Sequence, residues 1–364
     1  MKVAIVHYWL VTMRGGEKVL EELCKMFPDA DIYTNVYNPK KISQTIKSHK
    51  IFTTKVNKFP MAQKLYQKYM PFMPNALMQL DLTGYDVIIS SESGPAKGVC
   101  PSPNAFHICY CHTPMRYIWD MYYEYAKKSN AIVRLFMKMI SPKLRIWDVT
   151  SSNLVDHFVA NSSFVAKRIK RYYNRDCDIV FPPCNIEKYL NNPRNPQDFY
   201  LFFGQLVGYK RADLAIEACI QSKRKIVVIG EGKSKQAKKY EKSGYVTFTG
   251  RVSDDEVKLY LSQAKALLFP GIEDFGIIPV EANSAGCPVL AYKKGGAIDS
   301  IKENVTGLFF EEQTVESVIE CIEKFESIES QFANREAYTA HVQQFSTNQF
   351  IQKMNTLIAE KKHL

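Results

Sequence analysis

The sequence predicts an α/β protein made of two Rossmann-like domains with parallel sheets that face each other across a cleft. Short runs rich in β-branched and aromatic residues alternate with helical patterns along the chain, and this alternation is typical of parallel sheets with crossover helices. The pattern occurs twice, on either side of Phe181-Pro-Pro-Cys-Asn185, which we interpret as a stiff linker. A chain of 364 residues is long enough for two domains of ordinary size.

The predicted elements follow this order along the chain. The strands of the first half are Val3–His7, Ile32–Asn35, Val87–Ser90, Phe106–Tyr110 and His157–Ala160. Those of the second half are Tyr200–Phe203, Lys225–Ile229, Val246–Thr249, Ala266–Phe269 and Val289–Ala291. Helical patterns include Glu17–Met26, Ala212–Ile220, Asp254–Ser262 and Pro279–Ser284. We assign residues 1–183 to the first domain and 184–345 to the second. A last helix within 346–364, around Gln349–Glu360, is expected to join the first domain.

Composition points to a soluble globular protein, with 46% hydrophobic and 23% charged residues. No apolar run approaches the about 20 residues that a membrane-spanning helix needs. The apolar start, Met1-Lys-Val-Ala-Ile-Val-His7, is too short for a signal peptide. The nine cysteines are scattered and odd in number, which favours reduced thiols and a cytoplasmic location.

Positive charge is concentrated in the first half of the chain. Residues 1–190 hold 26 Lys and Arg against 15 Asp and Glu, which gives the whole net charge of +11, whereas residues 191–364 hold 22 of each. This asymmetry predicts a polyanionic partner for the first domain, either nucleic acid or an anionic membrane surface. A basic solvated face without a partner is the alternative.

The most informative motif runs from Glu273 to Val289. Pro279 is expected to begin a helix, and Gly276 lets the backbone approach a ligand closely. The first N–H groups of that helix then form a site for phosphate. Because carboxylates repel phosphate, Glu273 and Glu281 are expected to accept hydrogen bonds from sugar and ribose hydroxyls. The predicted ligand is a sugar nucleotide, although Glu281 could instead only complement the helix dipole.

Other strand-end loops of the second domain fit the same ligand. Lys210 and Arg211 end the block that begins at Phe202 and can reach a diphosphate, with solvated charges as the alternative. The Gly230-Glu-Gly232 loop is glycine-rich without a full dinucleotide fingerprint. Ser253, after Gly250-Arg251-Val252, is expected to cap the next helix.

Two blocks carry candidate chemistry in the first domain. Gly15-Gly16 opens a helix after the first strand, either to admit a donor substrate or simply as a tight turn. The second block, from Cys109 to Asp120, contains His112, for which a core histidine bonded to backbone is the alternative. We expect no zinc there, because Cys109 and Cys111 are expected to face opposite sides of a strand and no second ligand pair has a standard spacing.

These blocks resemble the retaining glycosyltransferases of family 4, which have the GT-B fold of two facing Rossmann-like domains. The likeness covers essentially the whole chain, and it implies that the first domain lies on the acceptor side and that the second domain binds the sugar nucleotide. By this resemblance, Glu281 would hold the nucleotide ribose and Glu273 the hydroxyls of the transferred sugar. Lys210 would neutralise the diphosphate leaving group. The implied donor-binding set is Gly16, Gln205, Lys210, Arg211, Gly230, Arg251, Val252, Glu273, Phe275, Gly276, Ile277 and Glu281, and the implied catalytic set is His112, Lys210 and Glu273.

One position departs from the family pattern. The family usually has arginine after the glycine of the Gly204 block, and this chain has Gln205, which cannot offset phosphate charge. Arg211 is expected to substitute in part.

The His112-Thr-Pro-Met-Arg-Tyr-Ile-Trp-Asp120 segment resembles members that transfer mannose in O-antigen and related polysaccharide synthesis. In this likeness His112 contacts the donor sugar, and Arg116 and Tyr117 shape the acceptor side. No metal or other cofactor is expected, because Lys210 and helix N-termini can offset the phosphate charge. Two Asp-x-Asp sequences, at Asp29 and Asp176, precede strands and are expected to cap or solvate them.

Two basic segments rich in apolar residues suggest a membrane surface as partner. Lys127–Trp147 and Lys58–Gln79 interleave lysine and arginine with aromatic residues, methionine and aliphatic residues, as helices in a membrane interface do. Core helices with a basic edge are the alternative.

The predicted function is a retaining α-mannosyltransferase that uses GDP-mannose to extend a lipid-linked glycan for bacterial surface polysaccharide. It would lie on the inner face of the cytoplasmic membrane without binding nucleic acid. The alternatives are a family 4 enzyme that uses a UDP-sugar of glucose, galactose or N-acetylhexosamine, and a sugar-nucleotide epimerase. A basic nucleic-acid-binding module would leave Glu273 and Glu281 unused.

Overall fold

The computed structural model of the chain describes residues 1–232 and 237–362. These residues form two compact units. The first contains residues 1–183 together with the chain from Phe350 onward, and the second contains Cys184–Gln349. The division between acceptor and donor roles that we assigned to these regions stays a prediction.

The first unit contains a seven-stranded sheet in which every neighbouring pair of strands is parallel. Its strands are β1 (Val3–His7), β2 (Asp31–Thr34), β3 (Ile51–Thr53), β4 (Val87–Glu92), β5 (Phe106–Cys111), β6 (His157–Ala160) and β7 (Cys177–Ile179). Their order across the sheet is β3-β2-β1-β4-β5-β6-β7. The sequence order reverses at β1 and β4, so this is where a parallel sheet of this type opens a crevice for ligands.

The second unit contains a parallel sheet of six strands. These are β8 (Tyr200–Phe203), β9 (Ile226–Ile229), β10 (Val246–Gly250), β11 (Leu267–Phe269), β12 (Val289–Tyr292) and β13 (Gly307–Phe310). Their order is β10-β9-β8-β11-β12-β13, which places the reversal between β8 and β11. The loops after these two strands carry Lys210 and Glu273.

Helices connect the strands in both units. Those of the first unit are α1 (Gly15–Met26), α2 (Gln44–Lys47), α3 (Ala62–Leu65), α4 (Met73–Met78), α5 (Tyr122–Lys128), α6 (Ala131–Ser151) and α7 (Ser163–Tyr173). The second unit follows with α8 (Glu187–Leu190), α9 (Ala212–Gln221), α10 (Ala237–Glu241), α11 (Asp254–Gln263), α12 (Ile277–Ser284), α13 (Ala297–Ser300), α14 (Val315–Ser327) and α15 (Arg335–Val342). The last helix is α16 (Thr347–Lys361).

Helix α16 belongs to the core of the first unit. Phe350, Met354 and Ile358 are spaced by four residues, and all three are buried in one cluster with side chains of β1, β2, β4 and β5. This spacing puts them on one helical face. Residues 346–349, which we assigned to the first domain, lie in the second unit because the packed face of the helix begins only at Phe350.

The predicted strands and helices are present, and their ends differ from the predicted ends by at most two residues. Three short strands, β3, β7 and β13, were not predicted. The basic segment Lys127–Trp147 is not one helix, because the chain turns between α5 and α6 and the Asn130 side chain caps α6 by accepting a hydrogen bond from Val133 N. The segment Lys58–Gln79 consists of α3, a 3₁₀ helix (Tyr66–Phe72) and α4.

Candidate functional site

Loops at the carboxyl ends of three neighbouring strands are hydrogen-bonded to one another in the second unit. Gly204 N, after β8, donates to Ile229 O at 2.9 Å, and Leu206 N donates to Glu231 O at 2.9 Å. Gly230 N, after β9, donates to Gly250 O at 2.9 Å. Because the backbones support one another, the glycine-rich blocks of the sequence form one edge of the sheet.

Lys210 and Glu273 form an ion pair at this edge. The Nζ atom of Lys210 lies 2.7 Å from Oε1 of Glu273, and the two side chains are only 14% and 20% exposed. The lysine side chain folds back over Gly204, where an added Cβ would lie 3.2 Å from Nζ. The sequence placed both residues in the site, and the structure brings them into direct contact.

Gly276 starts helix α12 with a left-handed backbone, φ +87°, which glycine adopts without steric cost. The helix begins at Ile277, and its N-cap residue, Gly276, has no side chain that could cap the first turn. Our expectation that Pro279 begins the helix is therefore wrong, because the turn at Gly276 starts it two residues earlier. The uncapped N–H groups at Gly276 and Ile277 are the ones that the resemblance assigns to sugar or phosphate.

Phe275 supports the loop from the protein interior. Its ring is buried and packs against Phe345, with ring centroids 5.6 Å apart. The preceding Glu273 O accepts a hydrogen bond of 2.8 Å from Gly296 N. The Phe275 side chain is thus committed to packing, so a donor could contact this residue only through its backbone.

Glu281 lies one turn into α12 and is partly buried. Removal of the carboxyl group from water raises its pKa to about 7, although nearby Lys188 and a hydrogen bond from the Tyr189 hydroxyl act in the opposite direction. A carboxyl group that titrates near neutrality is characteristic of functional sites, although buried ion-pair networks also produce such shifts.

The remaining donor-site candidates of the second unit lie around the same edge. Gln205 and Arg251 are exposed, and Val252 is half-buried. Arg211 has a left-handed backbone, φ +52°. Its guanidinium group pairs with Asp213, at 3.1 Å between Nη2 and Oδ2. The cation that we expected to compensate for Gln205 is therefore paired with the carboxylate of Asp213.

His112 in the first unit is held by a buried serine. Its Nε2 atom lies 2.8 Å from Ser91 Oγ, and the same hydroxyl lies 3.0 Å from Nδ1 of His7. His112 directly follows β5, Ser91 is the second-last residue of β4, and His7 is the last residue of β1. Burial lowers the pKa of His112 to about 4, so the imidazole is neutral near pH 7. A neutral imidazole can exchange hydrogen bonds with sugar hydroxyls.

Gly16 lies beside the same histidine. A Cβ atom at this position would overlap the Tyr8 hydroxyl and would lie 3.6 Å from His112 Nε2. Glycine is required here because the helix start passes within contact distance of both side chains. The structure therefore brings together the two residues of the first unit that the resemblance assigns to the donor.

The segment 113–120, which we call the acceptor loop after the role predicted for it, is held in place by Arg168. The Arg168 guanidinium group pairs with Asp120 and donates to Thr113 Oγ1. Tyr117 packs beside the buried cluster of Met115, Ile118 and Leu144, and its hydroxyl is buried. Tyr117 thus shapes the loop by packing, and Arg116 is half-buried beside it.

A buried charge cluster behind the acceptor loop was not predicted. Lys97 pairs with Asp148 of α6, and Glu92 Oε1 lies 3.7 Å from Lys97 Nζ; all three are fully buried. Asp148 also accepts a hydrogen bond of 2.7 Å from Trp119 Nε1. No local pattern marks these residues, since they come together only when β4, α6 and the acceptor loop pack.

The geometry of the two strand cysteines differs from our expectation. Cys109 and Cys111 are buried in the same cluster, because residues two apart on a strand point to the same face. Among residues 1–232 and 237–362, no three His, Cys, Asp or Glu side chains group as a metal site would need. Our expectation that the reaction needs no metal stays a prediction.

Within the part of the chain that the structure describes, no helix has the length and apolar character needed to cross a bilayer.

Two family models match consecutive parts of the chain. The model described as Glycosyltransferase Family 4 matches residues 13–188. The model described as Glycosyl transferases group 1 matches residues 185–343. Together they cover residues 13–343, which include most of both units.

Curated relatives are about one quarter identical to the chain within the regions that align. Human alpha-1,3/1,6-mannosyltransferase ALG2 is 26% identical in an alignment of 254 residues that covers 59% of this chain and 58% of that protein. The O-antigen chain mannosyltransferase RfbU of Salmonella typhimurium is 27% identical over 221 residues, 59% of this chain and 55% of RfbU. The matches thus span less than two thirds of these relatives.

A solved structure shows the same fold along the whole chain. Anabaena HepE (Alr3699), crystallised with UDP and glucose, superposes with a TM-score of 0.68 at 16% identity and covers 99% of both chains. The two parallel sheets with their helices are therefore those of the GT-B fold.

Proposed function

Because the chain belongs to glycosyltransferase family 4 and has the GT-B fold, we propose that it transfers a hexose from a sugar nucleotide. The first candidate is mannose from GDP-mannose, in a retaining reaction that extends a lipid-linked glycan for bacterial surface polysaccharide. Support for mannose comes from the relatives, two of which are mannosyltransferases.

The observation that carries this proposal is the ion pair of Lys210 and Glu273 beside the uncapped start of α12. One cation, one carboxylate and a row of backbone N–H groups meet within a single loop edge. Phosphate suits the cation and the N–H groups, whereas hydroxyl groups suit the carboxylate. A sugar diphosphate carries both kinds of group on one molecule.

Binding of the donor would divide the ion pair between two parts of the substrate. Lys210 would turn to the diphosphate, and Glu273 would accept hydrogen bonds from the hydroxyls of the transferred sugar. The acceptor would attack on the face that the diphosphate leaves, and a phosphate oxygen would take the acceptor proton. Lys210 and the N–H groups of α12 would stabilise the charge on the departing phosphate.

The competing functions make different products from the same donor. A UDP-sugar-dependent enzyme fits the same residues, and HepE was crystallised with UDP and glucose. An epimerase would convert the sugar without an acceptor. The chain is therefore incubated with GDP-mannose or UDP-glucose, alone and with lipid-linked glycan. A sugar product formed from donor alone would favour the epimerase.

The partner on the acceptor side is proposed to be an anionic bilayer, which α6 would contact. Ile132, Leu135, Phe136, Met139 and Ile146 are all exposed and form one stripe along this helix, which we call the membrane face. Ile132 is 81% exposed and Ile146 is 69% exposed. A soluble surface normally shows such side chains singly, and a contiguous apolar stripe marks an interaction site.

The opposite side of α6 is the side that packs on the protein. Ser141, Leu144, Asp148 and Ser151 are buried and also recur at helical spacing. The side of the helix that packs on the protein is thus mostly polar, whereas its apolar stripe faces solvent. Lys138 and Lys143 are exposed on the same helix, so its chemistry is complementary to anionic lipid headgroups.

The second basic segment lies beside α6. Met70 packs on the cluster that contains Met115, Ile118 and Leu144, as do Tyr117 and Ile140. Met61 and Phe72, from the same segment as Met70, are exposed. Both apolar segments therefore adjoin the acceptor loop. A lipid-linked glycan could then reach that loop from the bilayer, on the inner face of the cytoplasmic membrane.

The donor is identified by ligand-induced stabilisation. GDP-mannose, UDP-glucose, UDP-galactose and UDP-N-acetylglucosamine are compared at equal concentration by thermal unfolding, since a ligand that binds the native state raises the Tm. The proposal expects the largest rise with GDP-mannose, and that rise should be lost in Lys210→Ala. No rise with any sugar nucleotide would contradict the proposed function.

A further inference from the structure

The ring of His112 is connected to a second buried histidine through one hydroxyl group. Ser91 Oγ lies 2.8 Å from His112 Nε2 and 3.0 Å from His7 Nδ1. His7 and Ser91 are fully buried, whereas His112 is partly exposed. The strands hold this arrangement, since His7 pairs with Ser91 in the register of β1 and β4.

A serine hydroxyl donates only one proton, although it can accept two hydrogen bonds. Ser91 therefore donates to one ring and accepts from the other. Both rings are uncharged near neutrality, because burial lowers the pKa of His7 well below its ordinary value and that of His112 to about 4. Each neutral ring carries one proton, so the hydroxyl couples the proton positions of the two rings.

The other nitrogen of His7 decides between the two arrangements. His7 Nε2 is buried and has no hydrogen-bond partner among the residues that the structure describes. If Ser91 donated to His7, this Nε2 would have to carry a proton and would be a buried donor without an acceptor. The reverse arrangement leaves only an unused acceptor. Buried donors without partners are the rarer case in folded proteins.

We propose that Ser91 and His7 are positioning residues that hold His112 as the tautomer protonated on Nδ1. His7 donates from Nδ1 to Ser91, and Ser91 donates to His112 Nε2. His112 then offers an N–H group from the other side of its ring to an oxygen of a bound ligand. The part of this inference that concerns the donor sugar depends on the proposed function, whereas the tautomer does not.

The chain contains a matched control for this interaction. Ser90, one residue before Ser91 on β4, has its Oγ atom 2.9 Å from Nε2 of His107 on β5. Both serines are fully buried. Ser90→Ala thus removes a serine–histidine hydrogen bond of the same kind without touching His112.

The test is ¹⁵N NMR of the protein labelled in its histidine rings, at pH 7 and without ligand. Protonated and unprotonated ring nitrogens have well separated shifts, and His112→Gln identifies the signals of His112. We expect Nδ1 to be protonated and Nε2 unprotonated in the parent. In Ser91→Ala we expect a mixture of tautomers, and in Ser90→Ala the signals of His112 should not change.

Two results would overturn the inference. One is a parent protein in which His112 is protonated on Nε2. This result requires only one folded variant, His112→Gln, which is used to assign the signals. The other is a Ser91→Ala protein whose His112 tautomer is unchanged. If the chain transfers sugar, Ser91→Ala should lower the rate by about tenfold, the effect of losing one hydrogen bond, and Ser90→Ala should not. An absent transfer activity would contradict the proposed function and leave the NMR result valid.

Discussion

Lys210 Nζ lies 2.7 Å from Glu273 Oε1, and both side chains of this ion pair are largely buried. The pair places a cation and an anion side by side. A sugar diphosphate would need both, the cation for its phosphates and the anion for its sugar hydroxyls. Because the two groups neutralise each other before ligand arrives, neither is left as an isolated, poorly solvated charge. Each of the two charged groups therefore has a partner of opposite charge within the site.

Replacing Lys210 by alanine should weaken the binding of sugar nucleotide by about ten- to hundredfold. A hydrogen bond to a charged group contributes about 1.5–3 kcal/mol, and Glu273 would lose its counter-charge near the phosphates. Isothermal titration with GDP-mannose measures the change. Lys258→Ala is the control, because Lys258 pairs with Asp255 on the surface of α11. Equal affinities for the parent and Lys210→Ala would remove Lys210 from the phosphate site.

The affinity for GDP-mannose should rise as the pH increases from about 6 to 8. The pKa of Glu281 is raised to about 7, so this side chain is mostly protonated at pH 6 and mostly ionised at pH 8. The ionised form is the better acceptor for ribose hydroxyls. GDP-mannose has no phosphate group that titrates in this range. In Glu281→Gln the affinity should be low and should not vary with pH. A pH dependence that survives this substitution would assign it to another group.

A methyl group at position 16 should disturb the first unit, because it would overlap the Tyr8 hydroxyl. Overpacking of this kind costs about 1–3 kcal/mol. We expect Gly16→Ala to lower the midpoint of urea unfolding and the transfer rate. Tyr8→Phe removes the obstructing oxygen, so the double variant should recover part of the stability. Destabilisations that simply add in the double variant would show that the contact with Tyr8 is not the cause.

Acid should destabilise the first unit between about pH 6.5 and 4. Burial lowers the pKa of His107 to about 4, so the unfolded chain takes up a proton in this range before the folded chain does. The stabilisation from this lowered pKa is complete above pH 6.5 and is lost as the pH falls toward 4, in total by roughly 3 kcal/mol.

Tryptophan fluorescence follows this unfolding, because Trp9, Trp119 and Trp147 all lie in the first unit. Urea midpoints are measured from pH 8 to pH 4. The dependence on pH should be weaker in His107→Gln, which keeps polar atoms for Ser90 and for the Leu154 carbonyl. An identical slope in the variant would show that other groups cause the acid destabilisation.

Polar substitutions on the membrane face should abolish binding to anionic vesicles. The variant Ile132→Ser/Leu135→Ser/Met139→Ser removes three exposed apolar side chains of α6. Binding is measured by sedimentation with phosphatidylglycerol-containing vesicles and with neutral phosphatidylcholine vesicles. The parent should prefer the anionic vesicles, and 0.5 M salt (about a 4 Å Debye length) should weaken this preference.

The matched control for the membrane face is Leu259→Ser/Ile298→Ser, which removes exposed apolar side chains of the second unit. This variant should bind vesicles like the parent. If the parent shows no preference for anionic vesicles, the membrane proposal fails. If the parent dimerises as its concentration rises and the triple variant stays monomeric, the membrane face would instead bind a second copy of the chain.

The sequence was most informative where the local pattern and the fold require the same residue. The strand ends that carry Lys210 and Glu273 could be predicted, because alternating runs identify β8 and β11 and their loops must lie at one edge. Gly276 was singled out for close approach of the backbone to a ligand, whereas its left-handed backbone was not predicted. The start of α12 was misplaced because proline is also tolerated at the third position of a helix, inside the first turn.

Features that depend on packing between distant segments could not be predicted. Lys97 and Asp148 meet through the fold, 51 residues apart in sequence, and neither has a local pattern that marks it as buried. Ser91 belongs to a strand that reads as apolar and β-branched, so its contact with His112 was not visible. The basic segment around α6 was recognised, but only the structure shows that its apolar stripe is exposed.

The most direct test of this account is a crystal structure of the chain with intact GDP-mannose. We predict the diphosphate at Lys210 and the N–H groups of Gly276 and Ile277, the mannose hydroxyls at Glu273, and the ribose at Glu281. The Lys210–Glu273 ion pair should be broken in this complex. A nucleotide bound elsewhere, or one bound at this edge with both carboxylates turned away and the ion pair intact, would contradict the account.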